Sequence, residues 1–143
     1  MQLPTASSLL EKWPKTLGTL SYIECGDGWL PIIDALCAGV EEAVERHNDD
    51  LMYDQKNGRR RKEQPMKYPQ ARQIQEKFGT LRVYFSEDSD VTQAAVAVAV
   101  AMSAHTCENC GARGRTHFDG WTRTLCDPCE LVRAGVKDNC GND

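Results

Sequence analysis

The sequence contains no run of apolar residues approaching the ~18 that a membrane-spanning helix needs. Its first residues, MQLPTASSLLEKWPK, also lack the basic start and long apolar stretch of a secretory signal. A soluble, cytoplasmic protein with no membrane association is expected. Histidine is scarce, at 3 residues, and aromatic side chains make up only 7%. No internal repeat or low-complexity tract appears, and no phosphate-cradling glycine loop accompanies the acidic residues. Enzymatic activity is therefore not expected, and an enzyme of unknown type stays only as an alternative.

What is present fits one modest core with a small module attached, given 143 residues, 41% hydrophobic and 27% charged. The fold class is α+β: residues 1–104 as a helix and β-hairpin core, and 105–143 as a zinc finger and tail. A short helical lead-in over Ser7–Trp13 is cut by Pro14. The segment Glu24-Cys25-Gly26-Asp27-Gly28-Trp29 demands a tight, backbone-exposed turn, and a helix follows from Leu30 to about His47, with Leu30, Ile33, Leu36, Cys37, Val40 and Val44 on one face. Periodicity disappears over residues 48–70, which read as a loop insert. Two strands follow, Ala71–Phe78 and Thr80–Ser86. A helix over Val91–Ala104, capped by Ser89 or Asp90, completes the core.

Seven cysteines is an odd count, and four of them form two C-x-x-C pairs separated by fifteen residues, Cys107/Cys110 and Cys126/Cys129. That pattern favours metal ligation in a reducing compartment over disulfides. Two intervening residues let both thiolates of a pair face one centre, and Gly111 frees the turn after Cys110. A hairpin turning at Asp119-Gly120, then a helix from Pro128 to about Val136, gives the order of a treble clef. Four thiolates close the coordination sphere, so one structural zinc per chain is expected. Treble clefs also underlie small nucleases that place a histidine beside the metal, but fifteen residues holding His117 alone do not supply the further groups required. His105 is read as a cap for the preceding helix, and Cys25, Cys37 and Cys140 as buried or tail residues rather than ligands.

The segments Glu24–Trp29 and Glu76-Lys77-Phe78-Gly79-Thr80-Leu81-Arg82, with Cys107-Glu108-x-Cys110-Gly111 and Gly120-Trp121-x-x-Thr124-Leu125-Cys126, resemble a family of small, largely uncharacterised proteins of phages, prophages and bacterial genomes. The likeness spans about residues 22–37 and 70–129. It implies a phage or prophage origin and this architecture, and it implies no chemistry. On residue type alone, Trp29, Phe78, Leu81 and Trp121 are expected to share a core, with Asp27 capping the helix and Glu76 or Lys77 pairing with it. The functional alternative gathers Glu24, Asp27, Glu76 and Arg82 around one polar pocket.

Charge is uneven. Residues 1–53 carry 3 basic and 9 acidic side chains, residues 54–82 carry 9 and 3, and residues 83–143 carry 5 and 9. The leading expectation is a non-catalytic binding protein that recognises, and inhibits, a host macromolecule, with a protein partner favoured because the finger is not a basic blade. The alternative partner is nucleic acid, gripped by residues 56–82 through Arg59, Arg60, Arg61 and Lys62, with Tyr53, Tyr68 or Tyr84 stacking on bases.

Overall fold

A computed structural model describes residues 2–135. Helix α1, Ala6–Lys12, starts at Thr5, whose hydroxyl accepts from the Ser8 amide while the Ser8 hydroxyl accepts from the Thr5 amide, each at 3.0 Å. Pro14 does not end a lead-in, as the sequence suggested. It opens helix α2, Pro14–Leu17, at a position where its missing N–H costs nothing. Both helices belong to the core, because Leu9 and Leu17 are buried and the buried Thr16 hydroxyl donates to Glu41 at 2.7 Å. The Trp13 indole N–H donates to Asp34 at 2.8 Å, which fixes this corner to the next helix.

A 3-10 turn over Asp27–Trp29 leads directly into α3, Leu30–Lys56, with Pro31 in its first turn. Its 27 residues make a rod of about 40 Å. The helix runs nine residues past the expected end at His47. Leu51 continues the buried stripe, and the Asn48 side chain clamps the backbone of Met66 in both directions, at 3.0 and 2.7 Å. Asn57 and Gly58, the latter at φ 73°, then stop it. Only residues 57–70 form the loop. Asp27 makes no side-chain cap and, among the described residues, no ion pair, so the expected cap and its pairing with Glu76 or Lys77 are absent.

Strands β1, Ala71–Lys77, and β2, Thr80–Phe85, form an antiparallel hairpin. Lys77 pairs with Thr80, leaving Phe78 and Gly79 as a two-residue turn with φ of 54° and 81°. Glu24 adds a short parallel edge, its N–H donating to the Ile74 carbonyl and its carbonyl accepting from Glu76, both at 2.9 Å. Ile74, Leu81 and Val83 face inward. Helix α4, Asp90–Ser103, starts at Ser89 with Thr92 completing a capping box, and packs against α3 and β2. Its Ser103 hydroxyl accepts from the Leu81 amide at 2.9 Å.

Trp29 and Leu81 lie in the core as expected, but Phe78 and Trp121 do not: they are 70% and 79% exposed. Phe78 is carried out by the hairpin turn, and Trp121 by the turn of a second hairpin. Replacing Trp29 with Ala is expected to cost about 3–5 kcal/mol in denaturant unfolding, because it empties a fully buried site and orphans a hydrogen bond. Phe78→Ala should change stability by less than about 0.5 kcal/mol.

Candidate metal centre

The knuckle that carries the first ligand pair closes with Gly111 N–H donating to the Cys107 carbonyl at 3.0 Å, and Gly111 takes a φ of 81°. Two short strands follow, β3 over Arg115–His117 and β4 over Arg123–Leu125, paired antiparallel. Cys126 then sits in extended backbone at the start of α5, Asp127–Arg133, which carries Cys129 in its first turn. Knuckle, hairpin and ligand-bearing helix follow in the expected order, the helix starting one residue early. Residues from Val136 on, with Cys140, lie outside the described residues.

The four sulfurs of Cys107, Cys110, Cys126 and Cys129 lie within 4.8 Å of one another, and those of Cys110 and Cys126 are 3.6 Å apart. Four sulfurs each ~2.3 Å from one ion would be spaced by ~3.8 Å at the corners of a tetrahedron. The cluster is therefore compatible with structural metal binding. N–H groups point at the sulfurs: the Asn109 side-chain amide donates to Cys129 at 3.3 Å and the Cys129 backbone to Cys126 at 3.5 Å, and backbone groups of the knuckle bond Cys107. Such donors stabilise thiolate charge around a metal and orient the ligands.

Arg123 ties the second hairpin to the ligand helix. Its guanidinium, buried at 8% side-chain exposure, donates to the carbonyls of Asp119 and Trp121 at 3.0 and 2.8 Å and pairs with Glu130. Hydrogen bonds from Arg123 and Arg133 hold the Glu130 carboxyl well below its ordinary range. Nothing in the sequence singled out Arg123, and the role of Asn109 was equally unmarked.

The finger meets the core along a seam built from the two glycine-bearing motifs. The Gly28 amide donates to the Glu108 carbonyl at 2.7 Å, the Gly26 amide to the Glu108 carboxylate at 3.0 Å, and the Trp29 indole to the Thr106 carbonyl at 2.8 Å. A side chain on Gly28 would stand 2.6 Å from both the Glu108 carbonyl oxygen and the Gly111 nitrogen, so only glycine fits. On the other side, the Thr124 hydroxyl donates to the Gly79 carbonyl at 2.6 Å. No family description, no characterised protein and no solved structure matches the chain. Its site is thus read from its own geometry.

Of the four residues expected in one polar pocket, Glu24 meets Glu76 through the backbone, and Arg82 lies on the opposite face of the hairpin from Glu76. Arg82 faces Gln75 across the hairpin while Glu76 faces Leu81, and successive strand residues point to opposite sides. The nearer partner is Glu108, which sequence reasoning did not select. Burial raises its carboxyl, the Gly26 N–H lowers it and the charge of Glu76 raises it again. His105 contributes to the end of α4 through its backbone, and the carbonyl of Met102 is also taken by the Thr106 hydroxyl at 2.8 Å. The His117 ring stands 3.4 Å from the Leu125 carbonyl, away from the thiol cluster. Burial pushes the Cys25 and Cys37 thiols up to about 12, so neither is poised to act as a thiolate. Among the described residues no helix is long and apolar enough to cross a membrane.

Protein purified under reducing conditions is expected to carry one equivalent of metal by elemental analysis. Cys126→Ser should lose it, unfold residues 107–135 and loosen Gly28 and the first turn of α3 with them, since ligation energy is also folding energy. Cys25→Ser should retain it in full.

Proposed function

We propose that the metal is zinc and that this chain is a non-catalytic binding protein whose partner is another protein. An all-thiolate tetrahedral set is the donor chemistry of a structural zinc site and leaves no coordination position for water. The observation that carries the binding role is the exposure of Phe78, Phe118 and Trp121, at 70%, 78% and 79%, on the turns of the two hairpins. Exposed aromatic groups clustered on a rigid scaffold are the usual anchors of protein interfaces.

Phe78 supports the reading most directly. A phenylalanine at positive φ is strained by about 1–2 kcal/mol, and the first place of this turn type suits Asn or Gly. Neither conformation nor burial rewards Phe78 in the isolated chain. A residue that the fold penalises twice is retained for something outside the fold.

The basic loop supports nucleic-acid binding less well. Arg59 and Arg61 both turn onto Asp54, and Arg61 also pairs with Glu63. Tyr68 is engaged by Lys15 above its ring and by a hydrogen bond to Glu45 at 3.0 Å. Of the four residues of the run, Arg60 and Lys62 make no ion pair among the described residues, and Lys56, Lys67 and Arg72 are exposed beside them. The sequence resemblance supports a phage or prophage origin, with inhibition of a cytoplasmic bacterial factor as the role.

Phe78→Asn is expected to raise the unfolding free energy by up to about 1 kcal/mol while abolishing capture of a protein partner from host extract. Retained capture would exclude the aromatic turns as the contact. Replacing Arg59, Arg60, Arg61 and Lys62 by Gln should leave folding and capture unchanged. Submicromolar binding to duplex or single-stranded DNA at physiological salt, with a steep salt slope lost in that quadruple variant, would overturn the protein reading.

A further inference from the structure

A cleft of about 360 Å³ lies where the two hairpin turns meet, lined by Glu76, Lys77, Phe78, Gly120, Trp121 and Thr122. We propose that this cleft receives a cationic side chain, arginine above all, from a basic segment of the partner protein, with Phe78 and Trp121 as its aromatic walls and Glu76 as its counter-charge. The proposal rests on the protein-partner reading and specifies its chemistry.

Charge complementarity selects this occupant. Glu76 makes no ion pair among the described residues, and its carboxylate there accepts only a long 3.5 Å contact from the Gly79 amide. A part-buried carboxylate that lines one cleft with two aromatic side chains attracts a cation twice over, through its charge and through the negative ring faces. The chain itself shows that an ammonium suits this place, since Lys77 holds its Nζ 5.8 Å from the centre of the Phe78 ring. The surroundings reinforce the sign. Glu24 is joined to Glu76 through its backbone, its carbonyl accepting from the Glu76 amide at 2.9 Å. An apolar side chain entering the cleft would desolvate Glu76 without pairing it. A nucleotide would find two rings to stack on, but Lys77 is the one cation in the lining to meet its phosphate and Glu76 would oppose it. Arginine fits better than lysine because its planar guanidinium stacks on an aromatic face while its edge engages a carboxylate.

The test uses the full, metal-loaded chain and follows the three tryptophan indole N–H signals by NMR. The probes are a Gly/Arg hexapeptide, its Lys, Glu and Leu counterparts, and oligothymidylate. The Arg peptide is expected to shift the Trp121 signal saturably, to leave the buried Trp29 signal in place, and to bind more tightly than the Lys peptide. Glu76→Gln should weaken it about tenfold or more, Trp121→Ser should abolish it, and Lys77→Gln should tighten it by removing a competing cation. Unchanged affinity in Glu76→Gln, or no shift with any peptide, would overturn the proposal. Preference for the Leu or Glu peptide would overturn it while leaving the protein-partner reading intact. Preference for oligothymidylate would overturn both.

Discussion

The backbone of the metal knuckle approaches the core so closely at Gly26 and Gly28 that no side chain fits between them. The Glu108 carbonyl and carboxylate accept the two glycine amides, and the Trp29 indole reaches across to the Thr106 carbonyl. Those contacts need the knuckle to hold its shape, which the Gly111 N–H closes onto the Cys107 carbonyl and which two cysteine sulfurs converging on one ion would lock. The turn over Asp27–Trp29 in turn aims α3 and delivers Trp29 to the centre of the core. A local constraint at the cysteine cluster thereby reaches the longest described helix through three hydrogen bonds and two absent side chains.

The second seam follows the same logic with different atoms. Thr124, placed next to the second ligand pair by β4, donates to the Gly79 carbonyl in the turn of the first hairpin. The two hairpin turns thus lie side by side, and that adjacency makes the aromatic cleft. Each glycine motif divides its work between neighbours in sequence. Gly79 and Leu81 serve the fold, and Phe78 between Lys77 and Gly79 faces solvent. A rigid mount for exposed rings would lower the ordering cost of binding a partner, and a metal held by the four cysteines would supply that rigidity in a protein this small.

Much of this was legible in the residues. The two cysteine pairs, the Ser89 cap and the alternation of Leu81 and Val83 each point to one structure, and each is local. The misreadings share a cause. Residues 48–56 look like a loop because they are polar, yet a tertiary clamp from Asn48 to Met66 keeps them helical. Pro14 looks like a breaker, yet it begins a helix whose leucine is buried. Phe78 and Trp121 look like core because aromatic residues usually are; only the pairing of Lys77 with Thr80 reveals that Phe78 must occupy a turn. The same register separates Arg82 from Glu76, and it was available from alternation alone.

The central claim, that the metal knuckle fixes the core through Gly26 and Gly28, is tested most directly by amide hydrogen exchange on the full chain before and after chelation. The account predicts that the Gly28 amide and the first turn of α3 lose protection together with Gly111 when the metal is removed. Native protection at Gly28 and through α3, with opening confined to residues 107–135, would contradict it.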